Sequence, residues 1–312
     1  MKRISKYLLL SLFIFSPFLK SETIDLLVFY TSDFYPRSAF DKISHLIENS
    51  NMAYKNSDLD LKIKLAHMQK VDYPSTNTSN QSLHDLRSAK EQFYNVDALR
   101  KKYGADMVVL FAPFSLSNAD QACGLASLST NIRHINKSDM FSFVRVGADQ
   151  GIYCSDLTLA HELGHNMGLT HSDRQGGQGI MDDAKGHGVD YRFVTIMPYS
   201  SYFGGAPELP LFSTPKKTCT NPKDELDKYQ CGIQNESNAV RVMKITSQKI
   251  SQLYPTVNKP TVDKPNPSSE TIQSLISSSE NNEGSNTSGG SLGGMLCMLI
   301  FVLIGRLISL GK

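Results

Sequence analysis

The stretch HELGHNMGLTH, running from His161 to His171, gathers three of the chain's eight histidines beside one glutamate. His161 and His165 are four residues apart, so on a helix they stand one turn apart on the same face. Two imidazoles so placed can hold one metal ion. Gly168 tolerates the left-handed turn that ends a helix, which lets the chain reverse and bring His171 back as a third ligand. Three protein nitrogens leave one tetrahedral position open, the arrangement of a catalytic zinc rather than a structural one. Glu162 is rotated around the helix from His161 and is placed to act on a water as general base. Zinc lowers the pKa of water to about 7 and polarises a carbonyl. With a carboxylate base beside it, that is machinery for hydrolysing an amide.

A bare H-E-x-x-H arises by chance on many amphipathic helices. Here Gly168 and His171 extend the pattern, and the segment reads as helical on independent grounds. His187 in KGHGVD is a rival ligand, but it lies on a loop without matching spacing. His45, His67, His84 and His134 read as ordinary surface or core histidines.

The elements that must position this motif follow from the hydrophobic pattern. TIDLLVFYT, from Thr23 to Thr31, is a short apolar run suited to a buried strand. A helix is expected over 39–54, with Ile43, Leu46 and Ile47 on one face. Leu59, Leu61, Ile63 and Leu65 alternate with polar neighbours, the period of a half-buried strand. A helical stretch over 82–103, broken in the middle, ends at Gly104, and DMVVLF (106–111) is a third strand. FSFVRV (141–146) is a fourth. The motif helix follows, with Ser155 or Asp156 as its cap. Strands alternating with helices predict an α/β domain without internal repeats.

Both ends read as processing segments. The first 21 residues combine Lys2, Arg3 and Lys6 with an apolar run from Leu8 to Phe15, the composition of a secretory signal peptide. Residues 22–254 form the expected catalytic domain, and 255–288, rich in Pro, Ser and Asn, a solvated stalk. Leu292 to Leu310 is nearly all apolar and about long enough for one membrane helix. Arg306 and Lys312 would place its far end in the cytoplasm. The net charge is only +2, and removing Lys2, Arg3, Lys6, Lys20, Arg306 and Lys312 with the ends takes it to −4. That balance argues against a nucleic-acid partner. No pro-segment is expected, because the first strand follows the signal directly.

Export makes disulfides the expected state of the cysteines. Cys297 lies in the apolar tail, which leaves Cys123, Cys154, Cys219 and Cys231. Four cysteines allow three pairings. No C-x-x-C pair supports a second zinc site, and the local pairs Cys123–Cys154 and Cys219–Cys231 are favoured.

HELGHNMGLTH matches H-E-x-x-H-x-x-G-x-x-H and so resembles the metzincins. That resemblance implies a twisted sheet, an active-site helix, a methionine turn below the metal and a C-terminal helix. TIMPY (195–199) fits the turn, with Met197 as its methionine. Tyr199 either approaches the metal or a developing oxyanion, as in some metzincins, or packs in the turn. The chain is more closely similar to bacterial peptidyl-Asp metallopeptidases over 24–253. IDLLVFYT, DALRKKYGADMVVLF, CGLASL, LTLAHELGHNMGLTH, VTIMPY, LFSTP and NAVRVMKIT follow in that family's order. It departs at Ser172, where many relatives have Asp, and at Pro198, where alanine is common. GGSLGG before the apolar tail (289–312) resembles a GlyGly-type sorting signal, whose implied partner is a rhomboid-like intramembrane protease. The resemblances imply an exported zinc metalloendopeptidase acting on protein or peptide, at the cell surface or secreted, with inner-membrane anchoring as the alternative. A zinc amidase acting on cell-wall peptides and a non-catalytic envelope binding protein are the competing readings. Neither the oligomeric state nor a cleavage-site preference is legible.

Overall fold

The computed structural model describes residues 21–35, 38–221, 224–255 and 257. The expected signal peptide apart from Ser21, nearly all of the expected stalk and the whole of the expected GlyGly-type tail, with Cys297, lie outside the described residues. Among the described residues no helix is long and apolar enough to cross a membrane.

The elements run in the order strand and helix alternate in the sequence. Strand β1 (Glu22–Thr31) leads to helix α1 (Ala39–Asn56), then β2 (Leu61–Val71). Helices α2 (Ser79–Arg87) and α3 (Val96–Tyr103) occupy the stretch expected to be helical. A short 3-10 turn, Glu91–Phe93, separates them, so the break is real. Gly104 ends α3 in the left-handed conformation at φ 66°, where a side chain would be strained. Strands β3 (Met107–Pro113), β4 (Gly124–Ala126), β5 (Phe141–Asp149) and β6 (Ile152–Cys154) precede helix α4 (Thr158–Asn166). Two short pairs, β7 (Gly188–Val189) with β8 (Phe193–Val194) and β9 (Thr214–Asn221) with β10 (Asp224–Cys231), follow, and α5 (Ala239–Ile250) closes the domain.

The main sheet has the order β2-β1-β3-β5-β4, with β6 also paired to β5. Its four long strands are parallel, and β4 runs antiparallel at the edge. Parallel strands need helices on both faces, and the burial pattern provides them. Along β1, Leu26 and Val28 join the core under α1, α4 and α5, with Ile43, Leu163 and Met243. Leu27 and Phe29 face the other way, toward Leu86, Phe93 and Val96 of the α2–α3 side. The result is a twisted mixed α/β sheet sandwiched between helices.

Two disulfides tie the described domain, Cys123–Cys154 and Cys219–Cys231. The first links the residue preceding edge strand β4 to the end of β6, beside the start of α4. The second closes the β9–β10 hairpin and packs against Phe193.

Candidate active site

Helix α4 positions the site. Its first helical residue is Thr158, later than expected, and no side chain caps it. Asp156 does not cap the helix, because its carboxylate is held by Lys42 at 2.8 Å and His45 at 3.2 Å on α1. Ser155 contributes through a tight turn, its hydroxyl accepting from the Leu157 N–H at 3.1 Å. A long-range ion pair took the acid that local chemistry would have used.

The far end of α4 is anchored by Asn166, which is fully buried. Its side-chain nitrogen donates to the carbonyls of Ser127, Asp139 and Phe141, and its oxygen accepts from Ser142. These bonds fasten the helix to β5 and to the loop after β4. Gly168 follows at φ +89°, and a Cβ there would meet Ile180 at 2.5 Å. The reversal expected from the sequence is therefore present, and it brings His171 back.

His161, His165 and His171 offer ligand nitrogens all within 4.8 Å of one another. The rings are oriented by the backbone: His161 Nδ1 lies 2.9 Å from the Ile196 carbonyl oxygen and His165 Nδ1 lies 2.8 Å from that of Leu169. Both Nδ1 atoms must donate to these carbonyls, which leaves Nε2 of each neutral ring as a lone-pair donor. His171 Nε2 is buried without a hydrogen-bond partner. Three imidazoles with unused nitrogens fit a zinc-type ion. Burial, and then the neighbouring histidines, hold His161 well below the usual imidazole range. Burial lowers His165, and burial followed by His165 brings His171 down to about 4. The rings stay neutral at physiological pH, as metal ligation requires.

Glu162 is buried beside the triad, with Oε2 lacking a hydrogen-bond partner. Burial pushes its carboxyl up to about 8. A cation held nearby pulls such a carboxyl back down. Edge strand β4 forms the wall against it: a Cβ on Gly124 would meet Glu162 Oε1 at 2.3 Å. Sequence reading missed Gly124, because a three-residue strand has no periodicity to detect.

Met197 is fully buried beneath α4, and a Cβ on Gly164 would come within 2.8 Å of its Sδ. The same turn supplies the Ile196 carbonyl that orients His161, so one short segment both supports the helix and aims that ring. Tyr199 is half exposed, and its ring centroid lies 4.5 Å from that of His171 and 6.0 Å from that of His161. Burial first, and then the Glu162 charge, raises its phenol above the usual value. His187 stands apart from the triad, with Nδ1 3.4 Å from the Ser237 hydroxyl.

His161, Glu162 and Tyr199 border a cavity of about 580 Å³, which also takes in Gly124, Tyr153, Val194, Pro198 and Glu208. Glu208 was not singled out in the sequence, since it lies in a loop with no motif around it.

Residues 40–172 match a family model described as metallo-peptidase family M12B, reprolysin-like. A peptidyl-Asp metalloendopeptidase of Pseudomonas aeruginosa is 30% identical over 257 residues, which cover 75% of this chain and 41% of the relative. One of Stenotrophomonas maltophilia is 26% identical over 212 residues, 66% of this chain and 46% of the relative. The chain thus spans less than half the length of these curated relatives. A solved chaperone–substrate complex contains a chain similar in fold, with a TM-score of 0.58 at 21% identity, covering 76% of this chain and 35% of that one. Residues 40–172, which hold the His triad, are thus similar to a reprolysin-like metallopeptidase domain, and the described residues form a mixed α/β fold.

Proposed function

We propose that the chain is an exported zinc-dependent metalloendopeptidase in which Glu162 is the general base. The observation that carries this reading is the convergence of three imidazoles, their ligand nitrogens within 4.8 Å of one another, beside the buried Glu162, with His161 and Glu162 both lining the cleft. His161, His165 and His171 would hold the ion. Zinc bound there would supply Lewis acidity toward a water and a substrate carbonyl.

The chain's own groups do the rest. Glu162 takes the proton of the attacking water and passes it to the leaving amine. The wall built by Gly124 keeps its carboxylate turned toward the cleft. Edge strand β4 borders the same cleft and offers main-chain groups to an extended peptide, which binds as an added strand. Tyr199, protonated and close to the triad, is the candidate donor to the carbonyl oxygen as it gains charge. Met197 and the Ile196 carbonyl position the ligands without touching substrate.

The relatives are named for aspartyl bonds. That preference is not extended to this chain, whose described cleft lining holds Glu208 and no lysine or arginine. The two disulfides support a compartment outside the cytoplasm. The signal peptide (1–21), the stalk (255–288) and the GlyGly-type tail (289–312), with its sorting protease, belong to the proposal on the strength of their sequence. The test is digestion of casein against peptidoglycan by the purified protein. Casein cleavage abolished by a chelator and restored by zinc is expected, and cleavage of peptidoglycan alone would overturn the reading.

A further inference from the structure

Glu208 stands in the wall of the same cleft, following Ala206 and Pro207. Its segment is fixed by the backbone. The Val194 N–H donates to the Pro207 carbonyl at 2.9 Å, and the Leu209 N–H donates to the Val194 carbonyl at 2.8 Å. Glu208 thus lies on a strand-like stretch beside β8, which leads into the turn carrying Met197. Its Oε2 accepts from the Ser155 hydroxyl at 2.8 Å. Among the described residues no lysine or arginine lines the cleft, and Ser155 is the group that Glu208 binds.

Val194, Ile196, Pro198 and the Tyr153 ring give the cavity apolar wall, alongside the uncharged polar groups of Gln121, Thr158 and Ser200. Burial raises the Glu208 carboxyl above its ordinary value, and the Ser155 hydrogen bond offsets only part of that. An acid drawn out of water without a cation behaves in this way. A side chain with an aliphatic stem and a cationic head complements such a place, its stem against the apolar walls and its charge on the carboxylate. A substrate carboxylate there would be desolvated and would face a like charge.

We propose that Glu208 makes this cleft select a lysine or arginine side chain beside the scissile bond and reject aspartate or glutamate in that place. The proposal rests on the peptidase reading, and its test separates the two. Matched fluorogenic peptides carrying Lys, Arg, Met or Asp on either side of the cut are compared with the zinc-loaded protein. The Lys peptide should exceed the Met peptide in kcat/KM by roughly tenfold, the scale of one charge-assisted contact, and the Asp peptide by more. Glu208→Gln should bring the Lys-to-Met ratio close to one, and Glu208→Lys should turn the preference toward Asp. A wild type that favours Asp, or a Glu208→Gln ratio equal to wild type, overturns the proposal. The same peptides are also ranked by fluorescence anisotropy on the zinc-loaded Glu162→Ala protein, which reads the pocket without turnover. Lys binding tighter than Asp there supports the pocket even if the wild type cuts no peptide, an outcome that would sink the peptidase reading alone. Equal binding overturns the pocket.

Discussion

Replacing Gly124 with alanine would place a methyl group 2.3 Å from Glu162 Oε1, 2.6 Å from its Cδ and 2.7 Å from its Cγ. Ordinary contact begins at 3.4 Å, so the carboxylate must retreat by about 1 Å. Glu162 is the end of a rotatable side chain, and the backbone of β4 need not follow it. The change should therefore cost little stability. A displacement of about 1 Å in a catalytic group costs roughly a hundredfold in rate, or about 2.7 kcal/mol of transition-state stabilisation. We expect Gly124→Ala to lose about two orders of magnitude in kcat/KM on a fluorogenic peptide, with zinc content and Tm close to wild type. Activity within threefold of wild type would refute the claim that β4 aims the base. Loss of zinc together with activity would mean that the wall supports the metal site instead.

Reduction of Cys123–Cys154, which spans 31 residues and fastens the strand bordering the cleft, should cost roughly 2–4 kcal/mol. Tm and peptidase activity should fall together on treatment with a reductant, and no change in either would contradict that role. The Asp106 carboxyl is pushed up from 3.8 to about 7, chiefly by burial, against the pull of the Asp25 and Tyr254 N–H groups. The folded chain keeps this proton where the unfolded chain has lost it, so stability falls as pH rises from about 4 to about 7. The slope from this group is at most ~1.4 kcal/mol per pH unit. Urea unfolding across that range should show a smaller fall for Asp106→Asn than for wild type, and parallel profiles would count against the assignment.

The part of the site visible in the sequence is the part held by one helix. His161 and His165 share a face because four residues make about one turn, and Gly168 is needed for the reversal at φ +89°. Met197 was legible only through resemblance, since nothing local shows that its sulfur lies under Gly164. The long strands β1, β3 and β5 declare themselves as apolar runs, because both faces of a parallel sheet are covered. What stayed hidden is built from distant pieces. Gly124 matters only because β4 packs against Glu162, 38 positions further on. Glu208 meets Ser155 across 53 residues. Asp156, a good cap by type, is claimed by Lys42 and His45, more than 110 positions earlier. Local rules cannot see such competition.

The proposed site holds one metal on His161, His165 and His171, with Glu162 as a separate base. Glu162→Ala tests it most directly, because the base is not a ligand. Zinc content by mass spectrometry and casein cleavage are measured on the same preparation. One zinc per chain should be retained, with activity lowered by on the order of a thousandfold. A variant that keeps its zinc and cleaves within tenfold of wild type would contradict the role given to Glu162, and one that loses zinc would contradict its separation from the ligands.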